Sequence, residues 1–520
     1  MQCILIVISL CLLSNVLSTV VVDTEALSFV DEFARSRVYH GMNAVFKIAP
    51  WHPDVSGFDP DNSLSDIDAA NLNNWGFNII RLGVMWPGVE PGKQGDYNMT
   101  YLDQLSIIVD NLAAQNITVI LDMHQDLWHR KFCGEGVPDY IYEICASHEA
   151  SVTPPFPEPV APAPYPLDSD GNPSFDACSS KPFFEYYFSA EVGAGFDCLY
   201  RNQSNVWEAY AGFWRTVAER FRSYDSVIGY ELINEPWAGD VYHDKSLFLT
   251  SATEKENFQP MYSYLHEAIR EVDDKKIIFF EGLSYNYWWS GFTQGPGGPE
   301  YNDRQAISYR IYCPPNGAVG VIVCRGLVKD FLTMRLRDSK RLRLGMMMTE
   351  FGATLDEAYD LRVLENLAAH VDEHAQSWMY WQFKYYHDIT TMNPQRGSLY
   401  SDNGQPSVPK LRILSRTYPQ AVAGRNPTYS FNNKNGHFTL TYAPYIGSAE
   451  DSMFRTTEIF YNAELFYPNG VQVEIKSGGN VEVKCGHLNH LYLVHDSTPD
   501  GPIDVSLVPC DLNDPECTCR

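Results

Sequence analysis

Two acidic side chains close short apolar runs far apart in the chain. The first run is Val227–Trp237, Val-Ile-Gly-Tyr-Glu-Leu-Ile-Asn-Glu-Pro-Trp, in which Asn234 and Glu235 precede a proline. The second is Gly345–Gly352, Gly-Met-Met-Met-Thr-Glu-Phe-Gly, which carries Glu350. Apolar runs this short, bounded by turn residues, read as buried parallel strands rather than helices. A carboxyl at the carboxyl end of such a strand is poorly solvated and suited to proton transfer, although a lone Asn-Glu-Pro would serve equally as a capping loop. Two such carboxyls facing one pocket can cleave a glycosidic bond with retention, provided that they stand about 5 Å apart. One protonates the leaving oxygen and the other attacks the anomeric carbon. Glu235 is read as the acid/base and Glu350 as the nucleophile, because one must keep its proton while the other is ionised. Arg81, in an earlier apolar run, is positioned to hold Glu350 anionic or to act as a structural ion-pair partner. Asn234 is positioned to reach the sugar 2-hydroxyl.

The rest of the chain must place these groups. Strands are expected at Tyr39–Lys47, Asn78–Trp86, Ile117–Asp126, the Val227 run, Lys276–Gly282, Ala306–Cys313, the Gly345 run and Ser377–Phe383. Between them, helical spacing appears at Ser65–Trp75 (with Ser65 as cap), Tyr101–Gln115, Trp207–Arg222, Gln259–Val272, Arg325–Ser339 and Ala358–His374. This alternation predicts an α/β fold, a closed (β/α)8 TIM barrel. The rival doubly wound sheet lacks support because no glycine-rich phosphate loop follows the first strand. From about Thr428 onward, short alternating runs separated by Asn432–Gly436 and Ser477–Asn480 predict a small C-terminal β-sandwich. The expected domains are residues 1–18 as a signal peptide, 19–424 as the barrel and 425–520 as the sandwich.

One barrel connection, residues 127–205, is far longer than the usual loop. It holds Cys133, Cys145, Cys178 and Cys198, the proline-rich Pro154–Pro166, and Pro182-Phe-Phe-Glu-Tyr-Tyr-Phe188. Such content suits an ordered excursion at the active-site end better than a disordered insertion. Tyr285–Phe292 is also aromatic, and the two stretches together could line an apolar groove beside a sugar site. Core packing accounts for either alone equally well.

The formal charge of −27 argues against nucleic acid and against tight docking on anionic membrane. Ile4–Leu17 is almost wholly apolar and is followed by small residues, which reads as a secretory signal despite the lack of a basic start. Cys3 and Cys11 fall within it, leaving ten of the 12 cysteines for disulfides in an oxidising compartment. Cys313 with Cys324 is one plausible local pair among several connectivities. Zinc is the alternative, but no Cys-x-x-Cys or His-x-x-x-His cluster supports it. No metal or cofactor is expected. Asn98, Asn116 and Asn202 head acceptor sequons for N-glycosylation.

The residues now described carry a family resemblance. Asn234-Glu235-Pro236, Glu350 after Thr349, Arg81, His124 and Trp381 resemble glycoside hydrolase family 5. Asp122-Met-His-Gln-Asp126, Arg130-Lys-Phe-Cys-Gly-Glu-Gly-Val-Pro138 and the run Pro409–Gly424 resemble the endoglycoceramidases of that family. The resemblance implies hydrolysis of the bond between oligosaccharide and ceramide in glycosphingolipids. It also implies that Lys47, Asp126, Asn234 and Trp381 contact the first sugar and that Tyr312 lies beside the nucleophile. One departure stands out: where the sixth strand of the family usually has His, two residues before Tyr312, this chain has Arg310. The alternatives are a β-glucanase or β-glucosidase acting on glucans or simple glucolipids, and a non-catalytic carbohydrate- or lipid-binding protein. The expected partner is the glycosphingolipid, met by a secreted monomer through transient membrane or micelle contact. An acidic or digestive compartment would suit it. The negative charge gives no help in extracting lipid from anionic membrane, which leaves room for a detergent or an activator protein.

Overall fold

The computed structural model describes residues 19–146, 166–284, 289–313, 317–390, 397–445, 451–487, 489–512 and 514–519. The expected signal peptide, 1–18, lies outside them. Eight parallel strands close into a barrel: His40–Ala44, Ile79–Gly83, Thr118–Asp122, Val227–Glu231, Ile277–Glu281, Gln305–Ile311, Gly345–Gly352 and Trp378–Trp381. The eighth strand pairs back onto the first through Trp378 opposite His40. Both faces of the sheet are covered, so the strands are buried along almost their whole length. That explains why they appear in the sequence as apolar runs without alternation. Gly229 is required here, because a Cβ would come within 2.3 Å of the Ile277 carbonyl on the next strand.

The outer helices are Asp66–Asn74, Met99–Ala113, Val206–Phe221, Gln259–Arg270, Gly317–Leu342 and Ala358–Asp372. Ser65 and Asp68 form a capping box on the first of them. Gly317–Leu342 begins well before the expected Arg325, because its glycine- and valine-rich start has poor helix propensity and does not read as helix in the sequence. Leu102, Leu105, Ile108, Val109 and Leu112 turn one stripe of Met99–Ala113 into the main core. Among the described residues, no helix is long and apolar enough to cross a membrane.

The long connection after the third strand is ordered where it is described. Helices Asp139–Ala146 and Ala190–Tyr200 are cross-linked by Cys145–Cys198, and Cys133–Cys178 ties the start of the connection to the short helix Phe175–Cys178. Apart from Pro166, the proline-rich run lies outside the described residues. Cys313–Cys324, Cys485–Cys519 and Cys510–Cys517 complete five disulfides, which pair all ten cysteines beyond residue 18.

The C-terminal region is two antiparallel sheets. One orders Gly424–Asn432, His437–Pro444, Ile503–Pro509 and Val471–Ser477; the other holds Tyr418–Val422, Thr456–Phe460, His490–His495 and Val481–Cys485. Phe438, Leu440, Ile459, Phe460, Leu491 and Val505 fill the space between them. The second sheet also recruits Val21–Asp23, Ser28–Val30 and Ser36–Arg37 from the start of the chain. Those three strands had not been expected. Two or three residues are too few to show a period; the three pair with one another in turn, and only Ser36–Arg37 meets Tyr418–Val422, some 380 positions away.

Candidate active site

Glu350 lies on the seventh strand, where the register slips against both neighbours between Met348 and Phe351. An irregularity of this kind re-aims side chains, and here it points Glu350 into the barrel mouth. Both oxygens of its carboxyl are held. Arg81 Nη1 donates to Oε1, and the Tyr312 hydroxyl donates to Oε2 at 3.0 Å.

Arg81 sits on the second strand and is fully buried. Its fork also reaches Glu231 at 2.5 Å, Asn43 at 3.1 Å, Asn234 at 3.0 Å and Asp122 at 3.0 Å. Burial opposes its charge, but Asp122, Glu231 and Glu350 outweigh that and hold the guanidinium well above its ordinary value. The arginine is therefore a fixed cation that ties four strands to the nucleophile candidate.

Glu235 lies four residues past its strand, with φ +43° in the left-handed region. A non-glycine residue there needs its backbone groups well anchored. The Glu235 N–H donates to Glu281 Oε2 at 2.6 Å, and Gln125 Nε2 donates to the carbonyls of Asn234 and Glu235 at 2.8 Å each. The Glu235 carboxyl meets Arg310 Nε at 2.6 Å. Burial pushes it up to about 7, with Glu350 and Asp126 adding to the rise and Arg310 and His124 opposing it. It therefore keeps its proton close to neutrality, as a general acid must. Tyr312 is held well above its usual range by burial, then by Glu350 and Glu235, so it remains a donor.

The opposite wall is built from Lys47, Asp126, His124 and Trp381. Lys47 Nζ reaches Asp126 at 2.5 Å, Thr390 at 2.6 Å and Asp388 at 3.2 Å, and lies 4.7 Å from the centre of the Trp381 ring. His124 stacks on Trp381 at 5.2 Å and faces Asp122 Oδ2 through Nδ1 at 2.7 Å. Burial works against the charge on His124, but Asp122 and Asp126 push it up to about 10. Asp126 is held below its usual range: burial opposes this, and Lys47 and His124 prevail. His124, Asp126 and Glu135 come close enough to suggest a metal site. Lys47, 2.5 Å from Asp126 and 3.8 Å from Glu135, supplies positive charge there from the chain itself.

The sequence-predicted pocket residues are thus joined by hydrogen bonds, ion pairs and ring contacts into one buried network at the carboxyl end of the strands. The residues missed from the sequence are supporting ones: Asn43, Asp122, Gln125, Glu231, Glu281, Asp388 and Thr390. Gln125 and Asp122 lie in a stretch already singled out. Glu231 and Glu281 carried a weak signal as acidic residues ending apolar runs. Asp388 and Thr390 follow the last strand and had none.

The aromatic stretches divide. Phe292 packs into the core against Phe280 at 5.1 Å and Tyr262 at 6.0 Å. Tyr285–Trp288 lie outside the described residues, and Trp289 is exposed. In the insertion, Tyr187 is buried beside Trp237, with its hydroxyl 3.5 Å from Asp126, while Phe184 is exposed. Of the sequon asparagines, Asn98 and Asn116 are exposed and Asn202 is half-buried, its side chain accepting from Trp207 N–H at 2.9 Å.

The family model for cellulase (glycosyl hydrolase family 5) matches residues 42–158 and 176–387, and the model for the glycoside hydrolase family 5 C-terminal domain matches 416–507. The chain belongs to glycoside hydrolase family 5. It is 37% identical to an endoglycoceramidase of Cyanea nozakii, covering 87% of this chain and 86% of that one. It is 36% identical to an endoglycoceramidase of Hydra vulgaris, covering 95% and 90%. Its fold matches endo-glycoceramidase II from Rhodococcus sp., solved with ganglioside GM3, at TM-score 0.72 and 21% identity over 93% of this chain and 99% of that one.

Proposed function

We propose that this family 5 glycoside hydrolase cleaves the β-glycosidic bond between the oligosaccharide and the ceramide of glycosphingolipids, with retention at the anomeric carbon. The observation that carries the reading is the unlike treatment of two carboxyls at one barrel mouth. Glu350 is gripped at both oxygens by Arg81 and Tyr312, whereas Glu235 is pushed up to about 7 by burial. In the first step Glu350 attacks the anomeric carbon while Glu235 gives its proton to the departing ceramide oxygen. In the second, Glu235 takes a proton from water, which displaces Glu350 from the glycosyl intermediate. With Glu350 esterified, Glu235 loses one repelling neighbour and becomes a better base. Asn234, held by Arg81, is aimed at the 2-hydroxyl, Trp381 offers a face for the pyranose, and Lys47 and Asp126 serve the sugar hydroxyls.

The endoglycoceramidase relatives, matched over most of their length, support the substrate class. Five disulfides and the apolar Ile4–Leu17 support export to an oxidising compartment. Mass spectrometry of a mixed glycosphingolipid pool, run beside a soluble β-glucan and a simple glucolipid, tests the reading. Release of intact glycan and free ceramide is expected. Release of glucose from the glucolipid or cleavage of the glucan, with gangliosides untouched, would replace it with the glucosidase or glucanase alternative.

A further inference from the structure

Glu281, the last residue of the fifth strand, touches Glu235 by two routes. Its Oε2 accepts the backbone N–H of Glu235 at 2.6 Å. Its Oε1 accepts from Arg310 Nη1, while Arg310 Nε reaches Glu235 Oε1 at 2.6 Å. Two buried carboxyls therefore share one guanidinium. Arg310 is the register partner of Glu350 on the adjoining strand, so this triangle adjoins the nucleophile candidate.

We infer that Glu281 is a positioning residue for proton donation: it anchors the backbone of Glu235 and draws the positive charge of Arg310 away from the Glu235 carboxyl. The inference rests on the reading of Glu235 as general acid. A guanidinium paired with Glu235 alone would favour its ionised form, which cannot protonate a leaving oxygen. A second carboxylate on the same guanidinium removes that bias. Once the proton has passed to ceramide, Glu235 is anionic and can use Arg310 fully. The proton later drawn from water resets the arrangement. Other charged and titratable groups face the triangle from the neighbouring elements: Glu231, Glu350, Asp126, His124 and Tyr312. Burial raises both carboxyls, with Arg310 opposing, while both oxygens of Glu281 accept, from the Glu235 N–H and from Arg310, so the proton they share is left to Glu235. Such a pair titrates as a unit and retains a proton near neutrality.

The test uses the full chain with E281Q, R310Q and the double variant. Each is assayed for kcat/KM across pH on a glycosphingolipid and on an aryl glycoside of the same glycan, whose nitrophenolate departs without protonation. For E281Q the alkaline limb should move down by about one pH unit, with a loss of about 100-fold or more on lipid at neutral pH and about threefold or less on the aryl glycoside. R310Q, which leaves Glu281 and its strand intact, should move the limb up, and it carries the test if E281Q does not fold. The double variant should return toward the unaltered protein. Equal losses on both substrates with unmoved limbs would overturn the inference and leave Glu281 a purely structural residue. Absence of turnover by the unaltered protein on both substrates would instead overturn the functional reading, and this inference with it.

Discussion

The barrel buries ionic networks at both of its ends, and the two are balanced differently. At the amino end of the strands Asp372 accepts from Arg416, from Trp378 Nε1 at 3.2 Å and from Tyr429 at 3.2 Å, and lies 3.3 Å from His40. His40 is stacked between Trp378 and Tyr418, and burial lowers its pKa, so it stays neutral. One carboxylate thus faces one permanent cation, and the cluster joins barrel to sandwich. Burial opposes the ionised form of Asp372, but Arg416 and His40 prevail and hold it below its usual range. At the carboxyl end Asp122, Glu231, Glu235, Glu281 and Glu350 crowd around Arg81 and Arg310. Carboxyls outnumber guanidiniums there, so protons must make up part of the difference. A balanced network serves as a fastener, whereas an acid-rich one keeps a mobile proton.

That contrast can be broken most sharply at Glu350. Glu350→Gln should cut turnover at least about 10⁴-fold, since a nucleophile cannot be bypassed; full turnover would end the assignment. Glu235→Gln should lose about 10²- to 10⁴-fold on lipid and much less on an aryl glycoside with a good leaving group. Comparable losses on the two substrates would remove Glu235 as the acid. At the other end Asp372→Asn should cost about 3–5 kcal/mol of folding stability, because it strands Arg416 in the interior. Thermal unfolding reads this directly, and the folded fraction should keep its kcat. A melting temperature unchanged by that substitution would show that the interface cluster is no fastener.

The smallest effect concerns pH and runs in opposite senses at the two ends. Asp372 has a depressed folded value, so its contribution is present above the ordinary Asp value of 3.8 and is lost as pH falls through the folded one. Glu235 has a raised value, so its contribution is present below 4.5 and is lost as pH rises through about 7. Denaturant unfolding at pH 5 and pH 8 should therefore show Glu235→Gln more stable than the unaltered chain at pH 8, by roughly 1–3 kcal/mol, with little difference at pH 5. An equal effect at both values would mean that the strain at Glu235 lies in its backbone and not in its charge.

Much of this was legible beforehand. Strands buried on both faces become apolar runs, and covering helices show a 3.6-residue period, so the alternation marked out the barrel. The long insertion stood out by length, and its cysteines by number. The N-terminal strands escaped because each is two or three residues long, and only Ser36–Arg37 joins them to the sandwich, through the distant Tyr418–Val422. Glu281 and Arg310 escaped as a pair because nothing in local spacing says that a fifth-strand carboxyl and a sixth-strand guanidinium will meet at Glu235.

By itself the sequence determined the order of the elements, the class of fold and the residue types at the strand ends, because hydrophobic periodicity and turn chemistry are local properties. Only the tertiary structure decided which side chains share one desolvated mouth, which cysteines pair beyond the local Cys313–Cys324, and how many carboxyls compete for Arg81 and Arg310. The physical reason is that desolvation and Coulomb coupling depend on distances through space, and a linear pattern of residues does not contain them.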